Sequence, residues 1–228
     1  MLPSSLLRAE SILHRGSVAG ELAGISLAIE PRRFTLLSGP GAGLLLRILG
    51  LLERPDAGEV WFESERTGPL DDAARLALRN RVFGFVFAEP FLLDSFNVAE
   101  NVAMPLLKIS GFDIQQAQER TAQVLEFTGL AAIADCCVGD LPLPDHHKVS
   151  LARALAHAPK VLIAEETGIQ LPAREFREFA ALLRAAPEAL GVSVIATSPG
   201  GDVFGADREI RLEQGLIAAD SHPIPVDA

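Results

Sequence analysis

The sequence predicts an α/β fold: a parallel-stranded core with a helical lobe inserted into it. Short, continuous apolar runs, "FTLLS" (34–38), "KVLIAEE" (160–166) and "GVSVIATS" (191–198), have the length and β-branching of strands buried on both faces. Segments of helical period alternate with such runs, which is the order that builds a parallel sheet. A long stretch of helical pattern, from Glu89 to about Leu141, interrupts the strands and predicts the lobe.

The elements follow in order. "VAGELAGISLAIEPRR" (18–33) alternates like a strand, and "FTLLS" is a buried strand. A glycine-rich turn, "SGPGAG" (38–43), leads into an apolar helix from Leu44 to Leu52. "RPDAGEV" (54–60) is a turn, and "EVWFE" (59–63) a strand. "LDDAARLALRNR" (70–81) has an acidic first turn and a basic last turn, as a helix dipole favours. "VFGFVF" (82–87) is a strand. "NVAENVAMPLL" (97–107), "DIQQAQERTAQVLEFTGL" (113–130) and "HKVSLARALAHAP" (147–159) are helices. "EIRLEQGLIA" (209–218) closes the chain as a hairpin, and "SHPIPVDA" (221–228) reads as a loose tail.

Composition narrows the function. The chain has 228 residues, mean hydropathy +0.27 and 49% hydrophobic residues, enough for a sizeable core. Its formal charge of −10 argues against a nucleic-acid partner, which needs a basic face. "LLLRILGLL" is too short for a membrane span and carries Arg47. "MLPSSLLRAE" lacks the basic and apolar runs of a secretory leader, so none is expected. Cys136 and Cys137 are adjacent, so no disulfide between them is expected, and lobe packing is their simplest role.

Four stretches together resemble the ATP-binding subunits of ABC transporters. They are "SGPGAGLLLRILGLLERPDAGEVWF" (38–62), "LRNRVFGFVF…FLLDSFNVAENVAMPLL" (78–107), "VSLARALAHAPKVLIAEE" (149–166) and "GADREIRLEQGLI" (205–217). The second stretch is most similar to the lipoprotein-release and macrolide-export branch. The resemblance implies a P-loop NTPase (ABC ATPase) core with a mixed sheet and an inserted helical subdomain. It implies one domain over 1–228, with 1–88 and 151–220 as core, 89–150 as lobe and 221–228 as tail.

The resemblance also fixes what each site position should do. The family writes its phosphate loop as "SGxGKST", which falls on Ser38, Gly39, Pro40, Gly41, Ala42, Gly43 and Leu44. Ala42 stands for the lysine, and Gly43 for the magnesium-binding hydroxyl. Glu165 takes the place of the metal-supporting aspartate, and Glu166 that of the general base. Ala88 replaces the glutamine that senses the γ-phosphate. Ser198 replaces the switch histidine, and Pro172 the loop aspartate. The signature "LSGGQ" becomes Leu141-Pro142-Leu143-Pro144-Asp145, whose prolines remove N–H donors. His146 and His147 follow, with the pattern of a helix surface rather than a metal site. The family's base-stacking tyrosine is absent, and His14 or Arg15 stands nearest to its place.

The losses together imply a pseudo-ATPase subunit, structural or regulatory, with ATP and magnesium bound weakly or not at all. Its implied partners are integral-membrane permease subunits, contacted around Phe87 to Phe96, and an intact ABC ATPase or a second copy of the chain. Its implied place is the cytoplasmic face of the inner membrane. Two alternatives stand beside this reading. One is an active ATPase in which Arg32 or Arg33 replaces the lysine. The other is a soluble, non-transport ABC protein.

Overall fold

The computed structural model describes residues 5–17, 20–108, 111–198 and 204–224. A four-stranded antiparallel sheet holds β1 (Leu7–Ser17), β2 (Gly20–Ile29), β4 (Ala57–Phe62) and the short β5 (Glu65–Arg66), in the order β2-β1-β4-β5. A six-stranded sheet contains β3 (Phe34–Ser38), β6 (Phe83–Phe87), β7 (Val161–Glu165), β8 (Ser193–Ser198), β9 (Arg208–Glu213) and β10 (Leu216–Asp220). Its order is β10-β9-β3-β8-β7-β6, parallel throughout except for the β9–β10 hairpin. The sheet is therefore mixed, as expected.

The continuous apolar runs are explained by packing on both faces. Leu37, Ile163 and Ile195 point to one side, against α1 (Ala42–Leu49) and the smaller sheet. Leu36, Leu162 and Val194 point to the other, against the remaining helices. Those are α3 (Val98–Lys108), α4 (Ile114–Thr128), α5 (Leu143–Ala156) and α6 (Ala173–Leu190). α3, α4 and α5 all lie in the chain between β6 and β7. α2 (Asp72–Val82) starts on Asp71, whose carboxylate accepts from Ala74 N–H. α4 opens with a capping box between Asp113 and Gln116.

Some elements depart from the sequence reading. β1 carries a bulge at Ser11, where φ is +50° and the register to both neighbouring strands shifts. The period of two breaks there, which hides the strand. α6 has its apolar face at Phe179, Ala180, Leu183 and Ala186, a helical spacing interrupted by Pro187. The helical pattern expected over 89–141 contains a non-helical segment at 88–97 and two 3-10 turns, Ala131–Ile133 and Val138–Asp140. The tail expected from 221 is tied down at its start. Ser221 Oγ accepts Glu209 N–H at 2.9 Å, and Ser221 N–H donates to Glu209 O. Residues 225–228 lie outside the described residues.

Candidate functional site

The glycine turn leaves the carboxyl end of β3 and enters α1. That is the edge of a parallel sheet where ligands of α/β folds collect. Gly39 and Gly41 sit at φ +87° and +89°, a conformation that glycine enters without strain. A Cβ at Gly39 would drive into the Leu212 carbonyl oxygen on β9. The loop is also closed on itself: Ala42 N–H donates to Gly39 O at 3.1 Å, and Leu45 N–H to Gly41 O at 2.9 Å. No side chain caps α1.

A cavity of about 450 Å³ opens beside this loop. It is lined by residues 39–43, Arg47, Glu165, Glu166, Thr197 and Ser198. An adjoining cavity of about 470 Å³ shares Arg47, Glu165 and Glu166, and adds Phe87, Ala88, Glu89 and Phe91. The structure thus gathers Gly39, Pro40, Gly41, Ala42, Gly43, Glu165, Glu166 and Ser198 in one place, with Ala88 next door. Two expected positions are directed elsewhere. The Ser38 hydroxyl donates to Glu209 Oε1 at 3.1 Å, and Leu44 is packed into the core.

The charged groups have specific partners. Arg47 is four residues beyond Gly43, so both lie on one face of α1. Its Nη1 is 3.7 Å from Glu165 Oε1, and its Nε is 3.8 Å from Glu53 Oε2. Burial pushes the Glu165 carboxyl up, Arg47 pulls it down, and Glu166 and Glu53 push it up further, leaving it raised. Glu166 follows β7 with φ +47°, and its N–H donates to Thr197 Oγ1 at 3.0 Å.

A divalent metal does not fit this arrangement. Gly43 offers no hydroxyl, and a Cβ there would meet Glu165 Oε1 at 3.7 Å. Glu165 already faces the Arg47 guanidinium. Among the described residues, no three His, Cys, Asp or Glu side chains gather as a metal site. For phosphate, the turn keeps the shape of a cradle, but it lacks an ammonium at Ala42, which is buried at 4% exposure.

Several expectations are corrected. Arg32 and Arg33 precede β3, on the far side of its five residues from the loop, roughly 17 Å away at strand spacing. They line a separate cavity with Arg184, Glu188 and Asp207, so neither replaces the lysine. The cation that sequence reasoning missed is Arg47; its spacing from Gly43 was the available signal. Pro142 is the N-cap of α5 and Pro144 lies in its first turn, so "LPLPD" is a helix start, one at which two backbone N–H donors are missing. The two histidines are not a surface pair. His146 Nε2 lies 2.8 Å from Val138 O, and His147 is buried against Phe179, ring centroids 5.8 Å apart. Cys136 and Cys137 are free and exposed, which overturns a packing role. His14 lies between Glu53 and Asp56, at 3.6 and 3.9 Å, and is engaged there.

The segment at 88–97 is exposed and apolar: Phe91, Leu93 and Phe96 show 62, 41 and 40% of their surface. It is nevertheless held firmly. Arg153 donates to Phe91 O and Pro90 O, each at 2.8 Å. Asn101, fully buried, accepts Leu93 N–H at 2.9 Å and donates to Leu93 O at 3.0 Å and Asn97 O at 3.1 Å.

Comparison with known proteins identifies the family and the fold. A family profile described as ABC transporter matches residues 22–168. The lipoprotein-releasing system ATP-binding protein LolD of Maricaulis maris is 38% identical over 214 residues, covering 91% of this chain and 90% of the relative. LolD 1 of Rhodospirillum rubrum is 35% identical, covering 96% of this chain and 100% of the relative. Among solved structures, cbiO1 of Clostridium perfringens, part of an ABC transporter complex, superposes with a TM-score of 0.85 at 22% identity, covering 95% and 88% of the two chains. A dimeric ATP-binding cassette in a post-hydrolysis state with ADP and Pi superposes at 0.79 with 23% identity, covering 94% and 97%. The two solved structures cover 94 and 95% of this chain.

Proposed function

The chain belongs to the ABC transporter family, in the branch of the lipoprotein-releasing ATP-binding subunits, and on that premise we propose that it keeps the cassette architecture with its nucleotide chemistry silenced. It works with integral-membrane permease subunits at the cytoplasmic face of the inner membrane, as a structural or regulatory component. Its second cassette is an intact ATPase or another copy of itself. Residues 1–88 and 151–220 form the core of this cassette, and 89–150 the lobe.

One observation carries the reading. The cavity at the glycine turn offers neither an ammonium at Ala42 nor a hydroxyl at Gly43, and its carboxylate at Glu165 is paired internally. Glu166 remains as the retained general-base position, and the cation that lines the cavity, Arg47, faces Glu165 and Glu53 instead of standing free for a phosphate. A charge-assisted hydrogen bond contributes about 1.5–3 kcal/mol, so loss of the lysine alone weakens a phosphate by roughly ten- to a hundredfold. ATP and magnesium are accordingly held weakly or not at all. Ser38, Gly39, Pro40, Gly41 and Leu44 then serve the shape of the turn. Ala88 and Ser198 mark where γ-phosphate contacts have gone. Docking uses the exposed Phe91, Leu93 and Phe96.

The test is purification of the full chain from its native membrane, followed by phosphate release from the complex. Permease subunits are expected to co-purify, with turnover unchanged by Glu166→Gln in this chain. Turnover abolished by Glu166→Gln, or micromolar ATP binding by the isolated chain, would overturn the proposal.

A further inference from the structure

We infer that Arg47 supplies the cation of this site from within the chain, so that Glu165 takes no divalent metal. The inference rests on reading the turn as a former phosphate cradle. Three features converge on it. Gly43, at the head of α1, leaves the space beside Glu165 without a side chain. Glu165 Oε1 lies 3.7 Å from the position a Gly43 Cβ would have, an ordinary contact distance, so the carboxylate stands beside the place of the missing hydroxyl. Arg47, one helical turn on, brings Nη1 to 3.7 Å from the same carboxylate oxygen.

The pair joins what a metal would otherwise join: the first turn of the helix after β3 and the acidic end of β7. Arg47 is steadied by Glu53 on its other side, and Glu53 in turn faces His14 on β1. The guanidinium therefore lies between two carboxylates, Glu53 in the turn after α1 and Glu165 at the cavity. A dication brought to Glu165 would have to displace Arg47 or sit beside a fixed positive charge, and the missing hydroxyl removes a ligand oxygen that would repay the displacement. The spacing between α1 and β7 is set by the chain alone.

The experiment titrates Mn²⁺ into the full-length protein and follows the free ion by electron paramagnetic resonance. Wild type is compared with Glu165→Gln, with the double variant Gly43→Ser/Arg47→Asn, and with that double variant carrying Glu165→Gln. The wild-type and Glu165→Gln curves are expected to superimpose. The double variant is expected to gain one site at least tenfold tighter than the background of surface carboxylates, lost again when Glu165 is removed. Wild-type Mn²⁺ binding that weakens tenfold in Glu165→Gln overturns the inference, and so does a folded double variant that gains no site. Should the double variant not fold, the wild-type comparison decides alone. Metal-independent turnover would defeat the silent-site reading and leave this inference standing. Glu165-dependent Mn²⁺ binding without turnover would do the reverse.

Discussion

Arg208 grips Asp220 with two nitrogens, Nε to Oδ1 at 2.9 Å and Nη2 to Oδ2 at 2.6 Å, while its Nη1 donates to Ala28 O at 2.7 Å. The arginine is 4% exposed and ties the β9–β10 hairpin to β2 in the other sheet. Removing one partner strands a buried charge. Arg208→Leu is expected to cost about 3–5 kcal/mol, read as a lower urea midpoint. Burial alone would raise the Asp220 carboxyl, but the Arg208 hydrogen bonds and charge, with His222 N–H, hold it below 3.8. A depressed carboxyl stabilises the fold above its unfolded value. That share is lost as pH falls below about 3.8, and Asp220→Asn abolishes the dependence.

His147 gives a second pH effect with the same sign. Neither ring nitrogen has a hydrogen-bond partner among the described residues. Desolvation, then the neighbouring His146, lowers its affinity for a proton below the ordinary 6.5. His157 is lowered too, first by burial, against a bond to Phe83 O that raises it. The unfolded chain therefore binds protons more readily, so stability is complete above pH 6.5 and declines as pH falls below it. The slope is at most about 1.4 kcal/mol per pH unit for each histidine. Urea midpoints between pH 7.5 and 5.5 should show it, and His147→Leu should flatten it.

Two glycines of the turn should respond in opposite ways. At Gly43 a Cβ meets only Glu165 Oε1 at 3.7 Å, and the residue lies in a helix. Gly43→Ala is expected to stabilise by roughly 0.5–1 kcal/mol. At Gly39 a Cβ meets the Leu212 carbonyl and φ is +87°. Gly39→Ala is expected to cost at least about 1–3 kcal/mol from backbone strain alone. Equilibrium unfolding of the two variants separates them.

The exposed segment at 88–97 depends on Asn101. Asn101→Leu removes its side-chain bonds to Leu93 and Asn97 and leaves Leu93 N–H without its partner, at a cost of about 1–3 kcal/mol. Hydrogen exchange of Leu93 N–H should quicken. Phe91→Ser, by contrast, changes a side chain already 62% exposed. It should leave the urea midpoint within about 0.5 kcal/mol and reduce permease co-purification.

The strands Phe34–Ser38, Val161–Glu165 and Ser193–Ser198 were legible because burial on both faces leaves uninterrupted apolar runs. β1 was not, because the Ser11 bulge shifts its period midway. The turn and its glycines could be placed by motif, since spacing along the chain fixes them. Arg47 has no role that the motif's spacing reveals, because an ion pair depends on where two side chains meet across α1 and β7. Sequence also misjudged His147: a polar residue followed by lysine reads as surface, and only the packing of Phe179 shows otherwise.

Gly39 has a consequence for how such chains age. The Leu212 carbonyl and the left-handed turn together demand glycine there whatever the loop holds. A variant without it loses stability before any ligand is met. Ala42 and Gly43 face no comparable demand from the backbone. A cassette released from hydrolysis can therefore lose its reactive side chains while the glycines that frame them stay in place. The surviving glycines record an obligation to fold, and the residues between them record whether the ancestral chemistry is still in use.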